Sequence, residues 1–376
     1  MKYFDYAATC PIRDEALELF VKTSREYYGN PNSLHDIGGK AFSLLTTCRK
    51  ELANLLGVGA EEVYFTSGGT ESNHLGVNAL LSAQDDEKKH IITSLAEHSS
   101  IQQVLGKMER EGYDITYLPL NPNGVINVNE LERAIRKDTA LVCIQHGNGE
   151  IGTIQPILDI ASICQEHQIL LHTDCVQTFG KVDIKPIAEV VNSLSISSHK
   201  VYGPKGVGAM VVKQNTNWQS PFPSVTHEKG MRPGTINVPG IAAFTIAAQL
   251  TVQNRQENMD RAKDFRKAFI EELQPILNRL TVYEGLDDEQ LFAIIGFSVE
   301  GIEGQWLMLE CNRLGFAIST GSACQVGSQA ISKTMLALGE TDRKGKEFVR
   351  VSFGEKTTLE ELQALGRSIV QITTIF

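Results

Sequence analysis

Hydrophobic residues in the first two thirds of the chain fall into short runs that are separated by segments with helical spacing. The runs are rich in Val, Ile and Leu without strict alternation, which is typical of strands buried on both faces of a mostly parallel sheet. Helical patterns between them, such as 129–136 and 158–168, predict a doubly wound α/β layer. The seven predicted strands are Val63–Thr66, His90–Ser94, Ile115–Leu118, Ala140–Gln145, Ile169–Thr173, Ser193–Ser197 and Gly208–Val212.

The pattern changes after residue 255, where strands and helices no longer alternate regularly. The predicted elements there are a charged helix, a strand, a helix, two strands and a final helix, at 256–278, 292–299, 304–313, 316–319, 348–352 and from Thr358. This order predicts a smaller α+β domain. We therefore expect a large α/β domain over 15–255 and a small domain built from 1–14 and 256–376.

The composition is that of an ordinary soluble globular protein, with 42% hydrophobic and 21% charged residues among 376. The formal net charge of −10 argues against nucleic acid or an anionic membrane as a partner, because both attract clustered Lys and Arg. The N-terminal segment lacks the apolar region of a signal peptide. The longest apolar stretch, 238–252, is too short and too polar to span a bilayer.

The chain has seven cysteines, and no two are spaced as CxxC, so a zinc ribbon, a zinc finger or a thioredoxin-like motif is not expected. We predict no metal site. The odd number of cysteines and the length of the chain indicate a reducing, cytoplasmic compartment. Cys324 stands apart because the small residues of 319–327 predict an exposed, mobile thiol that suits a nucleophile. The others are expected to be packing residues, with Cys175 a weaker second candidate.

Four chemically distinct groups follow predicted strands: the Ser67–Thr70 turn, His98, Asp174 and Lys200. Ligands of open α/β sheets bind at the carboxyl ends of the strands, where these groups converge. A helix-capping turn, a capping aspartate and a solvated lysine would each explain one group alone. Their convergence on one edge of one sheet instead predicts an active site.

The segment 66–72 joins a strand to a helix, and its two glycines let the backbone approach an anion at the helix N-terminus. It is not a Walker loop, because no GK[ST] follows. Ser197 and His199 lie beside Lys200 in the sequence and would add phosphate ligands. The sequence therefore predicts a phosphate site next to a lysine whose position is set by the following Gly203-Pro204 turn.

A lysine nucleophile needs a lowered pKa, which a partly desolvated, cation-rich pocket provides for Lys200. Asp174 ends a strand buried enough to make an unpaired carboxylate costly, and a pyridinium nitrogen would be a suitable partner. Arg350 lies on an apolar strand, where its planar fork suits the α-carboxylate of a substrate. A structural salt bridge explains Arg350 almost as well.

The segment Gly147–Gly152 matches GxGxxG, follows a strand and has Asp174 about 20 residues further on, as in a dinucleotide-binding fingerprint. Pro156, however, falls where the helix of that motif would already be hydrogen-bonded, and proline inside a helix costs about 3 kcal/mol. We therefore rank a nicotinamide oxidoreductase last among the candidate functions.

Together these motifs resemble the cysteine desulfurases of the nitrogen-fixation and iron–sulfur-cluster type. These belong to the class-V aminotransferase group of the fold-type I (aspartate aminotransferase-like) pyridoxal-phosphate enzymes. The resemblance covers nearly the whole chain. It rests on the segments 3–9, 29–35, 65–72, 97–98, 150–156, 174–177, 197–206, 232–235, 319–324 and 350–354.

The resemblance implies pyridoxal 5'-phosphate as cofactor, L-cysteine as substrate and a homodimer. It also implies that sulfur passes to acceptor proteins for iron–sulfur clusters, thio-cofactors or tRNA thiolation. Lys200 would form the Schiff base, Cys324 would carry the persulfide, and His98 would stack on the cofactor ring and relay protons. Asp174 would pair with the ring nitrogen, and Gln177 would contact the ring hydroxyl. The other implied ligands are Gly69, Thr70, Ser197, His199 and, from the second subunit, Thr235 for the cofactor, and Arg350 and Asn32 for the substrate.

Two positions depart from the family pattern. Gly149 stands where the family usually has a second asparagine, and Ser224–Thr226 replaces a glycine-rich stretch. Three alternatives remain open within the same fold: an aminotransferase, which has no use for Cys324, a selenocysteine lyase, and a degenerate sulfur-relay partner. The degenerate partner is disfavoured by the retention of four residues: Lys200, Asp174, Arg350 and Cys324.

Overall fold

The computed structural model describes residues 1–286, 289–321 and 331–374. Within them the α-helices are α1 (Asp14–Glu26), α2 (Asp36–Leu56), α3 (Gly69–Leu81), α4 (Ser99–Arg110), α5 (Val128–Ala134), α6 (Ile157–Glu166), α7 (Lys185–Val190), α8 (Val238–Gln253), α9 (Arg255–Glu272), α10 (Gly304–Arg313), α11 (Lys333–Ala337), α12 (Asp342–Lys346) and α13 (Leu359–Thr374). The strands are β1 (Lys2–Tyr3), β2 (Val63–Thr66), β3 (His90–Ser94), β4 (Asp114–Leu118), β5 (Thr139–Cys143), β6 (Leu170–Asp174), β7 (Ser193–Ser197), β8 (Gly208–Val212), β9 (Leu280–Tyr283), β10 (Ile294–Val299), β11 (Phe316–Ala317) and β12 (Phe348–Ser352).

The seven predicted strands form one seven-stranded sheet in the order β2-β8-β7-β6-β5-β3-β4. Strand β8 is antiparallel to both of its neighbours, and the other pairs are parallel, so six strands point the same way. The mostly parallel sheet expected from the sequence is therefore confirmed. Only a short connection separates β7 from β8, which favours an antiparallel pair because a parallel crossover needs a dozen or more residues.

Each central strand buries side chains on both faces of this sheet. Ile91 of β3 and Leu141 of β5 pack with α3 and α4, whereas Ile92 and Val142, one residue further on, join the larger core under α2, α6 and α8. Successive side chains of a strand point to opposite faces. Burial on both faces is thus the reason why the hydrophobic residues do not alternate with polar ones.

Helix α8 is apolar nearly all round because it packs against α1 and α2 as well as the core of the sheet. In the part of the chain that the structure describes, no helix is both long enough and apolar enough to cross a membrane. The apolar stretch 238–252 forms helix α8, most of whose residues are buried inside the protein.

A second layer contains the antiparallel sheet β12-β10-β9 and helices α9, α10 and α13. Strand β1 pairs with β11, and Phe4 is fully buried in the core of this layer. The N-terminal segment therefore packs here, although the domain bounds at 14 and 255 stay a prediction. The helix predicted over 256–278 ends at Glu272, because Pro275 cannot continue it and a 3₁₀ turn follows.

The long segment between β8 and α8 is attached to the large sheet by Glu228. Its carboxylate accepts two hydrogen bonds from the guanidinium of Arg49, at 2.6 and 2.8 Å, and one from the backbone N–H of Phe65 at 2.8 Å. Glu228 and Lys229 have positive φ angles of 44° and 54°, a strained conformation for residues other than glycine. The buried ion pair holds this turn in place, seven residues before Thr235.

Candidate active site

A cavity of about 310 Å³ opens at the carboxyl edge of the large sheet, between that sheet and β12. The predicted site residues that line it are Gly69, Thr70, His98, Asp174, Gln177, Ser197, His199, Lys200 and Arg350. The strands β2, β3, β6 and β7 end here, as parallel strands of one sheet must. The structure therefore brings together nine residues that the sequence places far apart.

Two of the predicted residues that the structure describes are not among those that line the cavity. Asn32 is exposed in the turn before α2, and Thr235 is exposed in the segment before α8. Cys324 lies outside the residues that the structure describes. The roles of all three stay predictions.

Lys200 ends a 3₁₀ turn that follows β7 directly. Its Nζ donates hydrogen bonds to the carbonyl oxygens of Ala7 and Ala8, the latter at 3.0 Å, so the N-terminal segment fixes the amine. Burial lowers the pKa of Lys200 to about 7, and the cations of Lys181 and Arg350 lower it in the same direction. Lys200 is therefore able to exist as the neutral, nucleophilic amine near neutral pH.

Lys181 was not recognised from the sequence. Its Nζ donates to Gln177 Oε1 at 3.1 Å, and Gln177 Nε2 donates to the carbonyl of Ala7 at 2.9 Å. Lys181 thus orients the Gln177 amide and adds positive charge beside Lys200. The signal available in the sequence was its spacing, four residues after Gln177, which places both on one face of a helical turn.

Asp174 is the last residue of β6 and is only 7% exposed. Its Oδ1 accepts a hydrogen bond from the backbone N–H of Val176 at 2.9 Å, and its Oδ2 accepts one from Asn73 Nδ2 at 2.7 Å. Both oxygens of this carboxylate therefore accept a hydrogen bond from the protein. An anionic acceptor at the base of the cavity suits a protonated ring nitrogen.

The other end of the cavity has the features of a phosphate site. Gly68 adopts φ 150° and ψ −176°, a conformation open essentially to glycine. A Cβ on Gly69 would lie 2.7 Å from Val176 Cγ2, so only glycine lets the first turn of α3 approach so closely. Ser197 Oγ is buried and has no hydrogen-bond partner within the described residues. An anion at the N-terminus of α3 would supply that partner.

His199 lies beside this cradle, where its Nδ1 is 3.1 Å from Thr9 Oγ1. Burial lowers the pKa of His199 to about 4, and the cation of Lys200 contributes to the shift. The ring is therefore neutral at pH 7. It can bind a phosphate through a hydrogen bond but not as a cation.

Arg350 lies on β12 and is 3% exposed. It forms an ion pair of 2.6 Å with Asp5 and donates to the carbonyl of Gly149 at 2.9 Å, while its Nε has no hydrogen-bond partner among the described residues. The structural salt bridge weighed from the sequence is therefore present. Arg350 also lines the cavity, so it is placed to bind the carboxylate of a substrate, which is the other explanation weighed from the sequence.

Gly149 lies at the cavity wall, and a Cβ at this position would be 2.9 Å from Gln177 Nε2. A side chain at position 149 would therefore displace Gln177. The surrounding GxGxxG is a tight turn in which Asn148 Oδ1 accepts hydrogen bonds from the backbone N–H groups of Glu150 and Ile151. Helix α6 begins only at Ile157, so no helix N-terminus meets the glycines and the dinucleotide interpretation is wrong.

Asn73, which lines the cavity, and Ser100, which accepts a hydrogen bond from Asn73, were also missed. Asn73 lies one turn after Gly69 on α3, and Ser100 follows His98 by two residues. Both are 1% exposed. The helical spacing of Asn73 from Gly69 was the only signal in the sequence, and buried serine and asparagine residues are too common for that signal to decide anything.

The family model for class-V aminotransferases matches residues 2–365 of the chain. The chain is 46% identical to a putative cysteine desulfurase NifS of Bacillus subtilis over 97% of its own length and 93% of that protein. It is 36% identical to a cysteine desulfurase IscS of Dictyoglomus turgidum, over 99% and 95% of the two chains.

Solved structures of similar proteins have the same fold. A NifS-like protein superposes with a TM-score of 0.92 at 30% identity, covering all of both chains. A structure described as SspA in complex with cysteine superposes with a TM-score of 0.82 at 31% identity, over 95% of this chain and all of that one. The chain belongs to the class-V aminotransferase family and, within it, to the pyridoxal-phosphate-dependent cysteine desulfurases.

Proposed function

We propose that the chain removes sulfur from L-cysteine in this cavity, releases L-alanine and leaves the sulfur as a persulfide on Cys324. The observation that carries the proposal is the amine of Lys200, held at a pKa of about 7 in one cavity with Asp174, the glycine cradle of α3 and Arg350. The relatives named cysteine desulfurase and the neighbour described in complex with cysteine support the choice of substrate.

The residues present fit pyridoxal phosphate. Lys200 would hold its aldehyde carbon, Asp174 its ring nitrogen and Gln177 its ring hydroxyl, with His98 against the ring. Gly69, Thr70, Ser197 and His199 would hold the phosphate, and the unpartnered hydroxyl of Ser197 supports this assignment. When bound, the cofactor withdraws electrons from the substrate Cα.

The side chains of the protein then have distinct tasks. Arg350 orients the substrate carboxylate, and the neutral amine of Lys200 removes the Cα proton and later returns a proton to that carbon. The thiolate of Cys324 attacks the substrate sulfur, so that a sulfur–sulfur bond forms as the carbon–sulfur bond breaks. The substrate Cβ keeps the electron pair of the broken carbon–sulfur bond and takes up a proton to become the methyl group of alanine.

The described residues on either side of Cys324 lie at the cavity. Gly321 is close to Glu150, since a Cβ there would be 3.5 Å from Glu150 Oε1. On the other side, Thr334 Oγ1 accepts a hydrogen bond from Asn148 Nδ2 at 3.1 Å. Glu150, Asn148 and Thr334 all line the cavity. This placement supports Cys324 as the sulfur acceptor.

Incubation of the purified protein with L-cysteine and a thiol reductant should give alanine and sulfide in equal amounts. The equality follows because each turnover transfers one sulfur and leaves one three-carbon product. Sulfide and alanine are assayed separately over time. Amino transfer to a keto acid without sulfide would identify an aminotransferase, and a strong preference for selenocysteine would identify a lyase; either result would contradict the proposal.

We also propose that the enzyme acts as a homodimer in which the second subunit supplies Thr235. Large apolar side chains are exposed along α1, α2 and the turn between them, at Leu17, Val21, Tyr28, Leu34, Ile37 and Phe42. Burying them against a second copy would remove apolar surface from water. Sedimentation equilibrium should give about twice the 41.4 kDa mass of one chain, and a monomer at assay concentration would contradict the proposal.

The persulfide sulfur would pass to acceptor proteins for iron–sulfur clusters, thio-cofactors or tRNA thiolation. The names of the relatives support sulfur relay but do not select an acceptor. A cytoplasmic location is supported by the cysteines that the structure describes, since all six are buried free thiols.

A further inference from the structure

Asn73 connects three polar side chains at the base of the active site. Its Nδ2 donates to Asp174 Oδ2 at 2.7 Å and to Ser100 Oγ at 2.9 Å, and its Oδ1 lies 3.2 Å from His172 Nε2. A carboxylate can only accept hydrogen bonds, so the charge of Asp174 fixes which end of the amide faces it. Both amide protons are then used, and Oδ1 must accept a hydrogen bond from His172 Nε2.

His172 is suited to that single task. It is fully buried, and burial lowers the pKa of His172 to about 3, so the ring is neutral at any physiological pH. Its Nε2 carries the proton donated to Asn73, and its Nδ1 accepts a hydrogen bond from Ser193 Oγ at 3.1 Å. His172 therefore holds the amide of Asn73 from the side opposite Asp174.

The same accounting of hydrogen-bond donors and acceptors applies to the next two residues, Ser100 and His98. Ser100 Oγ accepts a hydrogen bond from Asn73, so its only proton points at His98 Nδ1, which is 2.8 Å away. The backbone N–H of Ser100 also donates to that nitrogen, at 3.2 Å. Two donors thus face His98 Nδ1, and the proton of the neutral ring belongs on Nε2. Nε2 forms no hydrogen bond within the part of the chain that the structure describes, and the His98 ring lines the cavity.

We propose that Asn73 is a positioning residue that links the Asp174 carboxylate to the His98 imidazole through Ser100, and thereby presents His98 to the substrate as the Nε2–H tautomer. The inference rests on the proposed function for what His98 does in the reaction. In this state His98 is a hydrogen-bond donor toward the substrate, and the base at Cα is left to Lys200. One amide therefore orients both the carboxylate that would accept from the ring nitrogen of the cofactor and, through Ser100, the imidazole of His98.

The test uses the full-length protein and two readouts that need no turnover. The first is the dissociation constant of pyridoxal phosphate, which reports on Asp174. The second is the titration and tautomer of His98 in ¹⁵N-histidine NMR spectra of the cofactor-free protein, with the signal assigned by His98→Gln. Three variants are compared with the wild type: Asn73→Ala, Ser100→Ala and Ser100→Thr. Asn78→Ala, a half-buried asparagine on the same helix, is the control.

Asn73→Ala should weaken cofactor binding about 10- to 100-fold, the usual range for losing a hydrogen bond to a charged group. It should also raise the titration midpoint of His98 by roughly 0.5 to 1 unit, because protonation at Nδ1 no longer meets an oriented hydroxyl proton. Ser100→Ala should change His98 in the same way while keeping cofactor affinity. Ser100→Thr and Asn78→Ala should match the wild type. The other charged groups near His98 are Asp174, Lys200 and Glu150, and none of these variants removes them.

An Nδ1–H tautomer in the wild type, or a His98 titration unchanged in Ser100→Ala, would overturn the proposal. Equal loss of cofactor affinity in Ser100→Ala and Asn73→Ala would also overturn it, because Ser100 has no bond to Asp174. If Asn73→Ala fails to fold, the two Ser100 variants still test the part of the proposal that concerns the tautomer of His98. These readouts hold even if the protein releases no sulfide, so failure of the proposed function would be seen separately.

Discussion

Replacing Lys200 with alanine should give a colourless protein that contains no covalently bound pyridoxal phosphate and has lost sulfide production. Two effects add: the covalent attachment disappears, and so does the proposed base at Cα. General-base contributions alone are typically about 10²- to 10⁴-fold. Absorption spectroscopy of the purified variant and the sulfide assay measure the two losses independently.

The lowered pKa of Lys200 also predicts how the rate of cofactor attachment changes with pH. Burial lowers the pKa of Lys200 to about 7, so the neutral amine that attacks an aldehyde accumulates as the pH rises through 7. The rate at which cofactor-free wild type binds pyridoxal phosphate should rise over that range and level off above it. Lys185→Ala, which removes an exposed lysine, should retain both colour and activity. A yellow Lys200→Ala protein whose reduced adduct maps to another lysine would refute the assignment.

Replacing Cys324 with serine should leave the cofactor bound and the protein coloured, but should abolish sulfide release. The residues that hold the cofactor are all elsewhere, whereas the attack on the substrate sulfur needs a thiolate. Removal of a covalent nucleophile leaves only the residual effects of binding, so a loss of roughly 10²-fold or more is expected. Sulfide and alanine formation from L-cysteine measure this loss, and the absorption spectrum shows that the cofactor stays in place.

The other cysteines provide the controls for this prediction. Cys175, the second candidate from the sequence, is fully buried, and burial together with the nearby Asp174 raises the pKa of its thiol. It is therefore a poor nucleophile. Cys311→Ser alters a buried thiol of α10 in the smaller layer and should keep full activity. Full sulfide release by Cys324→Ser would move the nucleophile to another cysteine.

The sequence predicted the large sheet well, because its strands are short, apolar and buried on both faces. Four of the seven strands have the predicted bounds, and the others differ by one or two residues at their ends. Convergence at the carboxyl edge was predictable for the same reason. Once the strands are known to be parallel, the residues that follow them must meet.

The contacts that complete the site could not be read from the sequence. Asp5 pairs with Arg350 across 345 residues, and Ala7 and Ala8 hold the amine of Lys200 from more than 190 residues away. These contacts exist because β1 joins the smaller layer, a pairing of two-residue strands that leaves no periodic pattern. Nothing local to Asp5 or Ala7 indicates a partner.

By itself, the sequence determined the sheet, the edge at which the cavity opens and most of the groups that line it, because periodicity and residue type are local properties of the chain. The tertiary structure alone decided the states of those groups. The lowered pKa of Lys200 depends on burial and on Lys181 and Arg350 nearby, and the tautomer of His98 depends on Asn73 and Ser100. Charge and proton position are set by neighbours in space, and those neighbours are fixed only when the chain has folded.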